Sequence, residues 1–387
     1  MSWIGAIFAT LVMFVTISGS NYYVARRIYQ GISHVFSNVN PAIYAGVVVV
    51  IILIMIAGFM RSMLPISEGM KSILGLLGSY IMGASIYFLI YFLIADLILH
   101  IGSVTKIISN PITLKMRFIV AITVTILTLI TVVLGVYNSK KIKHVSYNID
   151  IDKVTNFKND FNLIMISDVH LGALGSEERI EDIVNEINKK EADLVCIAGD
   201  IFDNNYYAIK NPDKAIETLK NIKSTNGVYA CPGNHDSGKT LNEMKSFLEK
   251  SNIKLLEDEN VVIDDKIVLV GRLDSTPIGG YGDTKRSDWK NVMEKINFEL
   301  PVVVMDHNPA NISEYDEKVD LILLGHTHKG QIFPGSLFTN LMFDVDYGYY
   351  RKDENSPQVI VSSGVGTWGM PMRVGTSCEI VSVNIYQ

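Results

Sequence analysis

"FNLIMISDVHLG", residues 161–172, changes character midway: six residues, apolar except for Asn162, lead into Asp168 and His170. A run this short and this apolar predicts a β-strand covered on both faces, because a half-exposed strand would alternate with polar residues. The acid and the imidazole stand where such a strand would leave the core.

The same arrangement recurs down the chain. "LVCIAGD" (194–200) delivers Asp200, and "GVYACPGNHD" (227–236) delivers Asn234, His235 and Asp236. "PVVVMDH" (301–307) ends on His307, and "LILLGHTH" (321–328) carries His326 and His328. Two further runs, "KIVLVGRLD" (266–274) and "QVIVSSG" (358–364), have the same strand character. Between the runs lie charged amphipathic stretches such as "SEERIEDIVNEINKK" (176–190) and "KTLNEMKSFLEK" (239–250), which predict helices. Strands alternating with helices make a layered α/β fold. Ligands of such folds collect beyond the carboxyl ends of the strands.

A histidine after a strand is ordinarily a loop residue, and Asp or Asn there commonly caps a helix or makes a turn. Yet all five histidines beyond residue 150 follow strand runs. Independent loop roles give no reason for that coincidence, whereas metal binding does. A donor set of Asp, Asn and His without Cys suits divalent transition ions (Mn²⁺, Fe or Zn²⁺) better than Ca²⁺ or a structural zinc site. Seven candidate ligands, Asp168, His170, Asp200, Asn234, His307, His326 and His328, exceed the needs of one four-coordinate ion. Two ions about 3.5–4 Å apart and sharing a carboxylate would use them all, an arrangement suited to phosphoryl transfer. His326 and His328, two apart on an extended segment, would leave the backbone on one side and so let one strand end serve both ions. Asp203, in "GDIFDNN", reads as a turn residue or as a group behind the ligands.

"SDVHLG", "GDIFD", "GNHD", "HNP" and "GHTHKGQ", in this order, resemble the motif series of the calcineurin-like metallophosphoesterases. The resemblance covers about residues 145–387, and "SSGVGTWGMPMRVG" (362–375) is similar to a late segment of membrane-associated members. It implies a sandwich of two mixed β-sheets flanked by helices, with a dinuclear metal site at the strand ends. It also implies that Asp168, His170 and His328 hold one metal, that Asp200 bridges, and that Asn234, His307 and His326 hold the other. The water between the ions would be ionised near neutral pH and attack phosphorus. His235 would contact the phosphate and protonate the leaving group, with Asp236 orienting its ring. Lys329 departs from close relatives, which often have Gly after "GHTH"; it either contacts a substrate phosphate or is a solvated side chain.

Towards the N-terminus the solvent changes. Residues 1–140 carry eight basic and two acidic side chains, whereas residues 141–387 carry 26 basic and 38 acidic ones, a net of −12. Apolar runs at residues 3–24, 42–60, 73–100 and 118–137 are each near the ~20 residues that cross a bilayer as helix. Runs such as "AGVVVVIILIMIAGFM" (45–60) lack the polar face of a water-soluble helix. The expected organisation is a four-helix transmembrane domain (residues 1–138), a linker (139–160) with an edge strand in "HVSYNIDI" (144–151), and the phosphoesterase-like domain (161–387). Asp96, near the end of the third run, marks an ion path or caps a neighbouring helix. Basic residues flanking the runs divide five against five, so the positive-inside rule assigns no side. Cys196, Cys231 and Cys378 are widely spaced in apolar surroundings and read as core residues, not a disulfide framework.

These features predict an integral protein of the cell membrane that hydrolyses a lipid-linked or cell-envelope phosphate or pyrophosphate, with membrane lipid as its partner. The alternatives are a phosphodiesterase acting on a soluble or cyclic nucleotide, and a membrane sensor that binds metal and phosphate without turnover. Nucleic acid is not an expected partner of a domain at −12 with no basic aromatic face.

Overall fold

The computed structural model describes residues 3–36, 38–151, 153 and 161–386, with side chains from residue 15 onward except 62 and 68. The chain divides into two compact units, Met1–Leu134 and Gly135–Gln387. The first holds α1 (Trp3–Val35), α2 (Pro41–Phe59), α3 (Glu68–Val104) and most of α4 (Leu114–Lys140), which runs on into the second.

Among the described residues three stretches are long and apolar enough to span a bilayer: Pro41–Phe59, Gly69–Val104 and Leu114–Lys140. This is a membrane protein. The fourth expected span, residues 3–24, falls on α1, and its side chains 3–14 lie outside the described residues. The helices overrun the apolar runs because hydropathy marks only the hydrocarbon layer, while backbone hydrogen bonding continues beyond it. The overrun of α1 sets Arg27 against Asp96: its Nε–H donates to Asp96 Oδ2 at 2.9 Å, and the Tyr23 hydroxyl donates to the same oxygen at 2.6 Å. Asp96 therefore ties α1 to α3, the neighbour-capping role. Where α2 meets α3, a Cβ on Gly58 would lie 2.4 Å from the Leu74 carbonyl oxygen, so glycine lets the backbones touch.

The second unit adds β1 (Ile142–Asp150), β2 (Phe161–Ile166), α5 (Ile180–Asn188), β3 (Leu194–Ala198), α6 (Pro212–Leu219) and β4 (Val228–Cys231). There follow α7 (Leu241–Lys250), β5 (Ile253–Leu255), β6 (Glu259–Ile263), β7 (Ile267–Gly271), α8 (Trp289–Met293) and β8 (Val302–Met305). The chain then forms β9 (Leu321–Leu324), α9 (Gly335–Met342), β10 (Gly348–Tyr350), β11 (Gln358–Val361) and β12 (Cys378–Tyr386). The strands make two six-stranded mixed sheets, ordered β1-β12-β2-β3-β4-β5 and β10-β11-β9-β8-β7-β6.

Leu163, Met165 and Cys196 of the first sheet pack on Leu269, Met305 and Leu323 of the second. The opposite face of the first sheet, including Ile164 and Ile166, lies under Ile183, Ile187, Leu219 and Phe247 of the helices. Both faces are covered, which is why these strands read as unbroken apolar runs. β1 is the expected edge strand, but it is no free linker: it pairs in parallel with β12 over nine residues.

Register places the chemistry. Ile166 is level with Ile197, and Ala198 with Cys231, in parallel strands, so the segments after β2, β3 and β4 emerge side by side. Met305 is level with Leu323, which does the same for the segments carrying His307 and His326.

Candidate metal centre

Three clusters of ligand-type atoms form at these strand ends: Asp168, His170 and His328; Asp200, His307 and His326; and His170, Asp203 and His235. Within each, one ligand atom per residue lies within 4.8 Å of the others. Asp200 sits between the first two, with Oδ2 3.1 Å from His307 Nε2 and 3.7 Å from His170 Nε2. Asn234 joins the second through Oδ1, 3.0 Å from His326 Nδ1.

The backbone is bent to make this possible. Asp168, His170, Asp200, His326 and His328 all adopt positive φ. Such strain in non-glycine residues concentrates at functional sites. "GHTH" is thus no extended segment: β9 ends at Leu324, and the two histidines stand on left-handed residues either side of Thr327 (φ −76°). They still reach different clusters, but through a turn, not through the pleat of a strand.

The carboxylates are held from behind. Asp168 accepts the His326 backbone N–H at 3.1 Å, and Asp200 accepts that of His235 at 2.9 Å. His307 donates Nδ1–H to the Ala198 carbonyl at 2.9 Å, which leaves Nε2 buried without a hydrogen-bond partner. A buried imidazole with one nitrogen tied to a carbonyl and the other orphaned beside a carboxylate is how a metal-binding histidine is prepared. The residues fit divalent cations.

Burial opposes charge throughout, and the charges sort themselves. Asp200 is buried, yet His307, His170 and His235 hold its carboxyl far below the usual range. Burial likewise disfavours the His307 imidazolium, but Asp200, Asp168 and Asp274 outweigh it and raise its pKa well above normal. His326 is pushed down to about 4 by burial and by His307. His328 is driven well below its usual value by burial, the Arg373 guanidinium and His170. Both therefore present neutral imidazoles.

Asp236 does not orient the His235 ring, contrary to the expectation. Its carboxylate accepts three backbone N–H groups, from Phe202 at 2.7 Å, Gly233 at 2.8 Å and Ile201 at 3.1 Å, and these hold it away from the imidazole. It clamps the two loops that carry Asp200 and Asn234. His235 Nδ1 instead lies 3.4 Å from Asp203 Oδ1 and 2.7 Å from the Asn204 side-chain amide. Lys329 is half-buried and lies outside the clusters, with Nζ 3.8 Å above the centre of the Tyr347 ring.

Sequence reasoning missed four supporting residues. Arg373 is fully buried and donates to the carbonyls of His328 (2.9 Å), Ser363 (2.7 Å) and Gly366 (2.7 Å), fixing the turn that carries His328. Arg286 bonds Asp306, next to His307, at 2.7 Å and so fastens the 273–289 loop to the end of β8. Asp274 follows β7 as Asp168 follows β2, and the strand-end rule would have found it. Asn204 left no signal beyond lying next to Asp203.

Residues 161–330 match the calcineurin-like phosphoesterase family. An uncharacterized metallophosphoesterase of Aquifex aeolicus is 30% identical over 260 residues, which are 66% of this chain and 97% of that protein. The chain belongs to the calcineurin-like metallophosphoesterases. An uncharacterized metallophosphoesterase of Helicobacter pylori is 33% identical over 58% of this chain, but this chain spans only 60% of its length, so the likeness speaks for the shared phosphoesterase domain. A protein of Danio rerio described as a transmembrane protein with metallophosphoesterase domain is 30% identical, over 67% of this chain and 62% of its own.

Proposed function

We propose that this phosphoesterase hydrolyses a phosphate or pyrophosphate ester on a lipid-linked or cell-envelope molecule, from a position in the cell membrane. Asp168, His170 and His328 would hold one divalent cation and Asn234, His307 and His326 a second, with Asp200 between them. Bound there, ions of the Mn²⁺, Fe or Zn²⁺ type would supply Lewis acidity to the phosphoryl oxygens and would make water a better nucleophile near neutral pH. His235 stands at the rim, its ring 5.0 Å from that of His170. With Nδ1 held by Asp203 and Asn204, its Nε2 is the atom that meets the phosphate and returns a proton to the leaving oxygen.

The observation that carries this reading is Asp200 lying between the two histidine-rich clusters, with His235 beside them. Membrane anchoring supports a lipid-linked substrate, and the acidic balance of residues 141–387 argues against nucleic acid. Full-length protein loaded with Mn²⁺ is to be screened against aryl monoesters, aryl diesters, cyclic nucleotides and lipid pyrophosphates. Faster turnover of cyclic nucleotides than of any lipid phosphate would move the substrate to the soluble class. His235→Ala should keep both metals and lose turnover; unchanged hydrolysis of bis-p-nitrophenyl phosphate would remove His235 from the chemistry.

A further inference from the structure

Helix α9 is inverted. Its polar side is bonded to the domain: Thr339 Oγ1 donates to Asp346 Oδ2 at 2.7 Å, and Thr327 donates to the Asp346 carbonyl at 2.6 Å. Its apolar side faces outward, with Leu337, Phe338, Leu341 and Met342 at 56%, 62%, 84% and 75% exposure. These positions are one face of the helix by their spacing. Soluble domains place such a face inwards, and no residue of α9 is buried.

This face lies at the mouth of the metal site. α9 begins seven residues after His328, and Phe343, just past its end, packs edge-on to His326 with ring centres 5.9 Å apart. Trp368, 55% exposed, stands edge-on to His235 at 6.2 Å. Gln331 joins the two segments: its side-chain amide donates to the Trp368 carbonyl at 2.8 Å and accepts the Trp368 N–H at 2.8 Å.

The same segments are tied to the end of a membrane span. Residues 135–140 are the last turns of α4, within the apolar stretch Leu114–Lys140. There Arg373 donates its backbone N–H to the Gly135 carbonyl at 2.8 Å, and Ser139 Oγ donates to the Pro371 carbonyl at 3.0 Å. Phe333, two residues before α9, donates its N–H to the Val374 carbonyl at 2.8 Å. Tyr137 with Lys141 4.2 Å above its ring is the aromatic-and-basic pair that marks a headgroup layer. From the span's end to α9 the chain is stitched without a break.

We infer that α9 and Trp368 form a lip that lies in the bilayer surface, so that the metal site takes a phosphate whose lipid tail stays in the membrane. The lip deepens the proposed function and rests on it for the identity of the substrate. Short helices of this kind lie in the interface with their apolar face ~5–10 Å deep. The occupant is lipid because the segment leading into α9 is bonded to Val374, whose neighbours Arg373 and Pro371 are bonded to a span's end, and because the face is apolar opposite a polar attachment.

The test uses the full chain in phosphatidylcholine–phosphatidylglycerol nanodiscs, with Leu341→Cys carrying a nitrobenzoxadiazole label; Cys196, Cys231 and Cys378 are buried and do not compete. Acyl-brominated lipids should quench the label and aqueous iodide should not, while a Lys220→Cys control just past α6 should show the reverse. Iodide quenching at both positions, with none from brominated lipid, overturns the lip, as would brominated lipids leaving the label untouched because a protein covers it. Replacing Leu337, Phe338, Leu341 and Met342 by Ser should lower the ratio of lipid-phosphate to aryl-phosphate turnover about tenfold; an unchanged ratio overturns it too. Lipid quenching in a protein that turns over no lipid phosphate would keep the lip and sink the substrate reading.

Discussion

His235 is paired with Asp203, whose carboxylate lies 3.4 Å from Nδ1, and not with Asp236, its neighbour in the chain. The carboxylate beside the His235 ring is thus Asp203, not the Asp236 that the motif resemblance implies. Asp203→Asn should lower kcat about 10–100-fold, as loss of an orienting partner does, and should shift the acid limb of the pH–rate profile while the fold stays intact. Asp236→Asn acts elsewhere: it weakens the clamp on three buried N–H groups and should cost about 1–3 kcal/mol of stability. Thermal unfolding beside pH–rate curves separates the two. Equal losses of stability in both variants would contradict the assignment.

Cation binding should release a proton. His307 holds its proton well above the usual imidazole range in the cation-free site because of Asp200, Asp168 and Asp274, yet the ligand form needs Nε2 bare. Proton and metal compete, so affinity should rise with pH and weaken about tenfold per unit of acidification for one displaced proton. Calorimetry in two buffers of different ionisation enthalpy at one pH reads the proton count. Identical heats in both buffers would rule the competition out.

Gly199 precedes Asp200 at φ +78°, and a Cβ there would fall 2.5 Å from His307 Nδ1. Gly199→Ala should cost about 1–2 kcal/mol in backbone strain alone, and it should also push His307 off the Ala198 carbonyl. Metal content after dialysis should then drop by about one ion per chain, since the Asp168 cluster is not touched directly. Full retention of both metals would show that the ring can shift without loss.

Asp96 is a structural partner of Arg27 and Tyr23, so Asp96→Asn should lower the thermal midpoint in detergent, at a cost of about 1 kcal/mol. Turnover should stay within about twofold, because the pair is not part of the metal site. Abolished turnover in a folded Asp96→Asn protein would revive a conducting role for this acid.

The strand-end rule reached the site because buried parallel strands announce themselves as unbroken apolar runs, and their register brings the following residues together. It failed where polar groups are built into the core. β12, next to the centre of the first sheet, was not recognised because Glu379, Ser382 and Asn384 interrupt its run; Glu379 is buried to accept the Ser363 N–H at 2.9 Å. α9 is not legible as a helix in the sequence, because an outward apolar face breaks the pattern of soluble helices. The motif resemblance places Asp236 at the His235 ring, but a motif does not show which way a carboxylate turns, and here three backbone donors hold it elsewhere.

β1 leaves the last membrane helix after one residue and pairs only with β12, the last strand, in matched parallel register from Ile142↔Cys378 to Asp150↔Tyr386. Tension arriving from the bilayer therefore loads this ladder in shear, all its bonds at once, so the junction is mechanically strong. β1 must also wait for β12, which follows every other described strand of its sheet, before it can pair.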